Sequence, residues 1–262
     1  MLPPDTLKGQ VAIITGGGTG LGRAMALEFS RLGAKLVLAS RSMEHLEPTA
    51  KEIEQGGGEA LAVATDVRDP AQVDGMIQQT KAKFGGVDIL INNAAGNFIC
   101  KAEDLSPNGW RAVVDIVLNG TFFCTRAAGR EMIAQGRGGK ILSVLATYAW
   151  TGGPGTVHSA AAKAGVLAMT RTLAVEWGQH KIRLNAIAPG TVPTEGAGSK
   201  LWATPEAVAK LVAKIPVGRM GNPEEIAQAA AYLVSPYAEY INGENLTLDG
   251  GAWLGRGFLA VQ

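Results

Sequence analysis

The sequence contains little cysteine and almost no net charge. Its two cysteines, Cys100 and Cys124, have no metal-ligand spacing. Free thiols are typical of a reducing compartment, so we expect a cytoplasmic protein without a bound metal. The 24 basic and 23 acidic residues leave a formal net charge of +1. This balance argues against a protein that binds nucleic acid or a charged membrane surface.

The sequence also lacks long apolar runs. No stretch approaches the ~20 apolar residues that a membrane span needs. No basic-then-apolar leader opens the chain, so we expect no membrane association. Hydrophobic residues nevertheless make up 47% of the 262 residues, enough for a sizeable core. A chain of this length suits one large α/β domain.

Short apolar runs alternate with longer amphipathic segments. The runs predict seven strands buried on both faces of a sheet. Their alternation with helices indicates a Rossmann-type, doubly wound parallel sheet in a single domain over 1–262. The irregular segment 191–216 is a candidate mobile lid. The predicted strands are Val11–Thr15, Lys35–Ala39, Ala60–Ala64, Asp88–Asn92, Lys140–Val144, Arg183–Ala188 and Asn245–Leu248, and the predicted helices lie near 21–32, 44–56, 70–84, 107–135, 159–178 and 222–234.

A glycine-rich turn follows the first predicted strand and opens the first helix. It reads Thr15-Gly16-Gly17-Gly18-Thr19-Gly20-Leu21-Gly22. Gly16 permits a tight turn, Gly20 lets the backbone approach a pyrophosphate, and Gly22 lets the helix pack on the strand. The helix N-terminus then offers unpaired N–H groups to phosphate. Because a strand precedes the turn and a helix follows it, the pattern predicts a dinucleotide site.

The end of the second strand indicates which dinucleotide is bound. A fold that prefers NAD usually places an acid here to accept a hydrogen bond from the ribose 2′-OH. This chain has Ser40 and Arg41 instead. An arginine can donate two parallel hydrogen bonds to a 2′-phosphate, and a serine hydroxyl can donate another. The sequence therefore favours NADP(H), unless Arg41 is only a solvated surface charge.

Further segments resemble the short-chain dehydrogenase/reductase family over nearly the whole chain, from Leu7 to Trp253. They are Asp66, Asn92-Asn93-Ala94-Ala95-Gly96, Asn119, Asn185 and Pro189-Gly190-Thr191. The resemblance implies that Asp66 holds the adenine and that Asn119, at a helix kink, helps retain a water linked to Lys163. Altogether it implies the coenzyme-binding residues Gly16, Thr19, Gly20, Leu21, Gly22, Ser40, Arg41, Asp66, Val67, Asn93, Lys163, Pro189, Gly190 and Val192.

One departure from that family narrows the function. Its members normally carry Tyr four residues before the active-site Lys, and here that position is Ser159. The usual catalytic Ser is Ala146, and a different tyrosine, Tyr148, lies fifteen residues before Lys163. A serine hydroxyl is too weakly acidic to replace a phenol as proton donor. Ordinary ketone reduction through position 159 is therefore disfavoured.

Three segments together resemble the animal-type 2,4-dienoyl-CoA reductases. They are Asn93-Ala94-Ala95-Gly96-Asn97-Phe98, Asp115-Ile116-Val117-Leu118-Asn119-Gly120-Thr121 and the tyrosine followed by Ser-x-x-x-Lys. The resemblance implies that NADPH reduces a dienoyl thioester to a 3-enoyl-CoA in unsaturated fatty-acid β-oxidation. The Tyr148 hydroxyl and the Asn97 amide would then steady the thioester oxygen. Lys163 would hold the nicotinamide ribose, and Ser159 would bond that ribose or orient Lys163.

The same resemblance implies a CoA site made by Arg68, Phe98, Ser106 and Lys200, although the family has Arg where this chain has Lys200. Arg68 and Lys200 suit CoA phosphates, or else belong to a solvated face. The family is commonly tetrameric, and the helices at 107–135 and 159–178 are expected to pack in a homotetramer. His158, at a helix start, is more typical of a structural residue than of an acid.

Two other functions stay open. In one, Tyr148 is recruited as the general acid of a carbonyl reductase that acts on another substrate. In the other, loss of the usual Ser and Tyr marks a coenzyme-binding pseudoenzyme with a scaffolding or sensing role. Oxidation of simple secondary alcohols would favour the first. Tight NADPH binding without turnover of any acyl-CoA would favour the second.

Overall fold

The computed structural model describes residues 2–194 and 204–254, and its centre is a parallel sheet of seven strands. The strand order is β3-β2-β1-β4-β5-β6-β7, and every neighbouring pair is parallel. The strands are β1 Val11–Thr15, β2 Lys35–Ser40, β3 Glu59–Ala64, β4 Ile89–Asn92, β5 Gly139–Val144, β6 Ile182–Pro189 and β7 Asn245–Leu248. The Rossmann-type sheet expected from the sequence is therefore confirmed, with each strand within a residue or two of its predicted position.

Helices cover both faces of the sheet. They are α1 Gly20–Arg31, α2 Met43–Gln55, α3 Pro70–Phe84, α4 Pro107–Val114, α5 Gly120–Gln135, α6 Tyr148–Thr151, α7 Val157–Glu176, α8 Pro205–Val212 and α9 Pro223–Val234. One buried cluster joins α1, α2 and α9 to one face of the sheet. A second joins α3 and α5 to the other face. Because both faces are covered, the strands are continuous apolar runs rather than alternating ones.

The strand order places a crevice at the carboxyl edge of the sheet. The chain runs outward from β1 to β2 and β3, then returns to place β4 on the other side of β1. The connections after β1 and β4 therefore leave in opposite directions. In open α/β sheets, ligands bind in the crevice that opens at such a reversal. The glycine-rich turn follows β1, and the Asn93 turn follows β4.

Three local features differ from the predicted pattern. The expected helix over 107–135 is two helices, α4 and α5, joined by a π-helical turn at Asp115–Asn119. Tyr148, which lies between the predicted strand Lys140–Val144 and the predicted helix 159–178, begins the short helix α6. The candidate lid contains the helix α8, where Thr204 caps the helix through the Ala207 N–H. The mobility of 191–216 stays a prediction, and residues 195–203 lie outside the described part.

Across the described ranges, no helix combines the length and apolarity that crossing a bilayer requires. Cys124 is buried and Cys100 is half-buried, and both thiols are free.

Candidate active site

The glycine-rich turn is shaped so that backbone, not side chain, faces the crevice. Gly16 and Gly20 have φ values of +66° and +53°, in the region that favours glycine. A Cβ added at Gly22 would lie 2.0 Å from the Gly16 carbonyl oxygen. Any larger residue there would push α1 away from β1. The sequence thus lets the N-terminus of α1, with its orphan N–H groups, approach a phosphate.

Thr15 ties this turn to the neighbouring one, a role that sequence reasoning missed. Its hydroxyl accepts the backbone N–H groups of Asn93 and Ala94, each at 3.0 Å, and donates to the Ile91 carbonyl. The Asn93 amide donates back to the carbonyls of Thr15 and Gly16, at 3.0 and 3.2 Å. The one available signal was a polar residue at the end of a buried strand. These bonds fix the two turns that form the crevice.

The crevice is a cavity of about 1220 Å³. This volume exceeds the ~300–1,000 Å³ of ordinary ligand pockets, so it has room for a dinucleotide beside a second ligand. Most of the predicted site residues line it. They are Gly16, Thr19, Gly20, Leu21, Ser40, Arg41, Asp66, Val67, Asn93, Asn97, Phe98, Tyr148, Ser159, Lys163, Pro189, Gly190 and Val192. Gly22, Arg68, Ser106 and Asn119 are not among its lining residues.

The cavity wall carries the residues that are expected to select the coenzyme. Arg41 is exposed and lines the wall, and no acid stands beside it on β2. The Ser40 hydroxyl donates to the Ser42 carbonyl at 3.0 Å, so it shapes the turn and would have to rotate to donate to a phosphate. Arg68 is paired with Asp66 at 2.5 Å. That pair and the nearby Arg41 hold the pKa of Asp66 below its usual range.

Tyr148, the displaced tyrosine, also lines the cavity. The Tyr148 hydroxyl lies 3.0 Å from the Ser159 hydroxyl, and either atom can donate. Tyr148 comes from α6 and Ser159 from the first turn of α7, so two helices converge on this contact. Ser159 is buried and Tyr148 is half-buried. The structure therefore brings the displaced tyrosine into contact with the serine that stands at the family's usual tyrosine position.

Lys163 lies one helical turn beyond Ser159 on α7. Its side chain is only 7% exposed, and its ammonium donates to the Val144 carbonyl at the end of β5. Burial lowers the pKa of Lys163 to about 8. Lys163 is therefore mostly protonated below pH 8 and progressively loses its positive charge above it.

This shift predicts a pH dependence of coenzyme binding. If the Lys163 ammonium donates to ribose hydroxyls, the Kd for NADPH should rise above pH 8, by up to about tenfold per pH unit. Below pH 8 the Kd should be level, because the ammonium is already formed. Fluorescence titration of NADPH between pH 6.5 and 9.5 measures this. Lys163→Met should bind more weakly and lose the inflection; an inflection that survives in the variant would contradict the assignment.

Asn97 and Phe98 lie on the loop after β4. The Asn97 Oδ1 atom accepts the Phe98 backbone N–H at 2.9 Å. Because that bond holds the oxygen, the planar amide directs its NH₂ group the other way, where it is a donor. Phe98 is 42% exposed and lines the cavity with its ring. The loop therefore combines a hydrogen-bond donor with an apolar surface.

The remaining predicted residues have structural partners. The Asn119 amide donates to the Asp115 carboxylate at 2.8 Å, within the π-helical turn. This confirms a distorted helix at Asn119, while its link to a water stays a prediction. The Ser106 hydroxyl accepts the Gly109 N–H at 3.0 Å and caps α4. Lys200 lies outside the described residues.

Comparison with known proteins agrees with this geometry. The family model described as "Enoyl-(Acyl carrier protein) reductase" matches residues 16–252. A Bacillus subtilis relative named probable 2,4-dienoyl-CoA reductase [(2E)-enoyl-CoA-producing] is 53% identical, over 94% of this chain and 97% of its own. The Pongo abelii peroxisomal 2,4-dienoyl-CoA reductase [(3E)-enoyl-CoA-producing] is 43% identical, over 96% of this chain and 86% of its own. A putative Agrobacterium tumefaciens 2-deoxy-D-gluconate 3-dehydrogenase, solved with bound NADP, superposes with a TM-score of 0.89 at 35% identity, covering 97% of this chain and 100% of its own.

Proposed function

Because this chain belongs to the short-chain dehydrogenase/reductase family, we propose that it is an NADPH-dependent 2,4-dienoyl-CoA reductase. It would convert a 2,4-dienoyl-CoA into a 3-enoyl-CoA in unsaturated fatty-acid β-oxidation. The observation that carries the proposal is the Tyr148–Ser159 contact on the cavity wall. The phenol is present in the cleft but stands on a different element from the one that carries it in ordinary family members. The names of the relatives support the same activity.

The residues of the cleft suit a nicotinamide coenzyme. The glycine turn would admit a pyrophosphate, and the end of β6 would provide the wall at Pro189 and Gly190. The Lys163 ammonium, which donates to the Val144 carbonyl, would donate to the ribose. Bound NADPH supplies the hydride. Arg41, with no acid beside it on β2, makes NADPH the preferred form.

In this proposal, the protein stabilises the negative charge that develops on the thioester oxygen of the substrate. Hydride added at the δ-carbon of the substrate sends an electron pair through the conjugated system to the thioester oxygen. The Tyr148 hydroxyl and the Asn97 amide are donors suited to that oxygen. When the Tyr148 proton points to substrate, Ser159 is left to donate its own proton to the Tyr148 oxygen at 3.0 Å. That bond holds the phenol in place and polarises it.

The phenol need not surrender its proton in this mechanism. The dienolate takes a proton at the α-carbon from water, which leaves the double bond between carbons 3 and 4. Protonation at the γ-carbon would instead leave it between carbons 2 and 3. The named products of the two relatives differ in just this respect. We propose the 3-enoyl product, in which water rather than Tyr148 or Asn97 supplies the proton to the α-carbon.

The test is an absorbance assay that follows NADPH loss. We expect turnover of 2,4-hexadienoyl-CoA, and little with crotonyl-CoA or a simple ketone. NMR of the product formed in D₂O should show deuterium at carbon 2 and a 3,4 double bond. Reduction of ketones alone would favour the carbonyl reductase, and NADPH binding without any turnover would favour the pseudoenzyme. A 2-enoyl product would keep the activity and overturn the site of protonation.

The other expectations extend the same proposal. Arg68 is paired with Asp66, which lines the cavity, and would have to exchange that pairing for a CoA phosphate. Ser106 and Lys200 complete the proposed CoA site, and Phe98 would pack along the acyl chain.

We also propose a cytoplasmic homotetramer. Exposed Phe122 on α5 and Val175 on α7 support the helix–helix contacts of that assembly, and sedimentation velocity measures its mass.

A further inference from the structure

His158 is a buried histidine that the mechanism above does not use. It is the second residue of α7, immediately before Ser159, and it is fully buried. In the described part of the chain, neither of its ring nitrogens makes a hydrogen bond of good geometry. Burial lowers the pKa of His158, and a contact with the Phe98 backbone partly offsets that effect. A polar side chain in such a place needs an explanation, because an aliphatic residue would fill the space without orphaned nitrogens.

The ring of His158 packs directly against Phe98. The two ring centroids are 4.5 Å apart and the planes are inclined at 62°, an edge-to-face contact. Phe98 in turn lines the cavity, whereas His158 is not among the lining residues. The imidazole therefore contacts a residue of the cavity wall without itself lining the cavity.

This contact joins the two segments that carry the proposed oxyanion donors. On one side, the Phe98 N–H fixes the Asn97 amide. On the other, His158 is covalently adjacent to Ser159, which lies 3.0 Å from the Tyr148 hydroxyl. A backbone hydrogen bond from Cys100 to Gly155, at 3.0 Å, is a second tie between the same two segments. Gly155 lies between Tyr148 and His158 along the chain.

We propose that His158 is a positioning residue that sets the separation of the Asn97 and Tyr148 donors through its contact with Phe98. The inference rests on the proposed function, since it assumes that both donors serve one oxygen. Two donors on separate loops stabilise a developing charge only when both are held in place beforehand. An aromatic edge with a fixed direction holds the Phe98 ring more tightly than a branched aliphatic chain does.

A double-mutant cycle tests this proposal. His158→Leu keeps a similar volume without an aromatic edge, and Phe98→Leu removes the other partner. We expect each to lower the kcat for 2,4-hexadienoyl-CoA about tenfold, with the Kd for NADPH and the Tm nearly unchanged. The double variant should be no worse than Phe98→Leu alone, because the ring contact is already lost in that variant. His158→Phe, which restores an aromatic edge, should recover part of the loss.

Three results would overturn the proposal: an unchanged kcat in His158→Leu, losses that multiply to about a hundredfold in the double variant, or a parallel loss of NADPH binding. If His158→Leu does not fold, the same cycle with His158→Gln gives the answer. Failure of the proposed function is seen separately, because the unmodified enzyme would then show no turnover of the dienoyl-CoA.

Discussion

Tyr148→Phe is expected to lower the kcat for 2,4-dienoyl-CoA by about 100- to 1,000-fold, the usual effect of removing one oxyanion donor. The Kd for NADPH should change little, because Lys163, the glycine turn and Arg41 are untouched. The phenol hydroxyl lies on the cavity wall, 3.0 Å from Ser159. Phenylalanine keeps the ring and its packing, so the loss isolates the hydroxyl. Steady-state kinetics with 2,4-hexadienoyl-CoA, beside fluorescence titration of NADPH, gives both quantities.

Two variants serve as controls for this result. Tyr240→Phe removes the same atom from a fully exposed tyrosine and should leave the kcat unchanged. Ser159→Ala removes the partner of the phenol and should cost less, roughly 3- to 10-fold, the worth of one hydrogen bond. A Tyr148→Phe enzyme with near-normal turnover would exclude the phenol as a donor. A larger loss in Ser159→Ala than in Tyr148→Phe would make the serine hydroxyl the main donor.

The sequence predicts the features that depend on local patterns. Buried parallel strands show as continuous apolar runs, so all seven were found within a residue or two. The glycine turn is also predictable, since Gly16 and Gly20 are required by their own positive φ and Gly22 by the Gly16 carbonyl six residues before it. Ser40 and Arg41 follow from the chemistry of the sequence, and the other residues of the cleft follow from the resemblance. The carboxyl edge of the sheet brings most of them together.

Other features leave no recognisable pattern in the sequence. The π-helical turn leaves no signal in the apolar periodicity, and the Tyr148–Ser159 contact joins two helices through a glycine-rich connection. The ion pair of Arg68 with Asp66 is also invisible in the sequence, because two oppositely charged residues two positions apart are common on any surface. Likewise, His158 attracts notice only when its burial and its contact with Phe98 are known.

The charges at the end of β2 lead to a second large expected effect. Arg41 stands exposed on the cavity wall, close enough to Asp66 to help lower the pKa of that carboxyl. Asp66 and Arg68 already form an ion pair there. Among the described ion pairs, none involves Arg41, whereas Arg68 is already paired with Asp66. Arg41 is therefore the arginine suited to bind a 2′-phosphate. Hydrogen bonds to charged groups are worth about 1.5–3 kcal/mol, or roughly 10- to 100-fold in Kd.

Arg41→Asp is accordingly expected to weaken NADPH binding by at least about 100-fold, because it removes the pairing and adds a repelling charge. NADH binding should improve, since a carboxylate accepts a hydrogen bond from the ribose 2′-OH. Arg41→Gln is the matched control: it removes the charge without adding an acid, so NADPH binding should weaken with no gain for NADH. Titration of both coenzymes against the three proteins measures the ratio. An Arg41→Asp enzyme that binds NADPH as the unmodified enzyme does would show that the 2′-phosphate is recognised elsewhere.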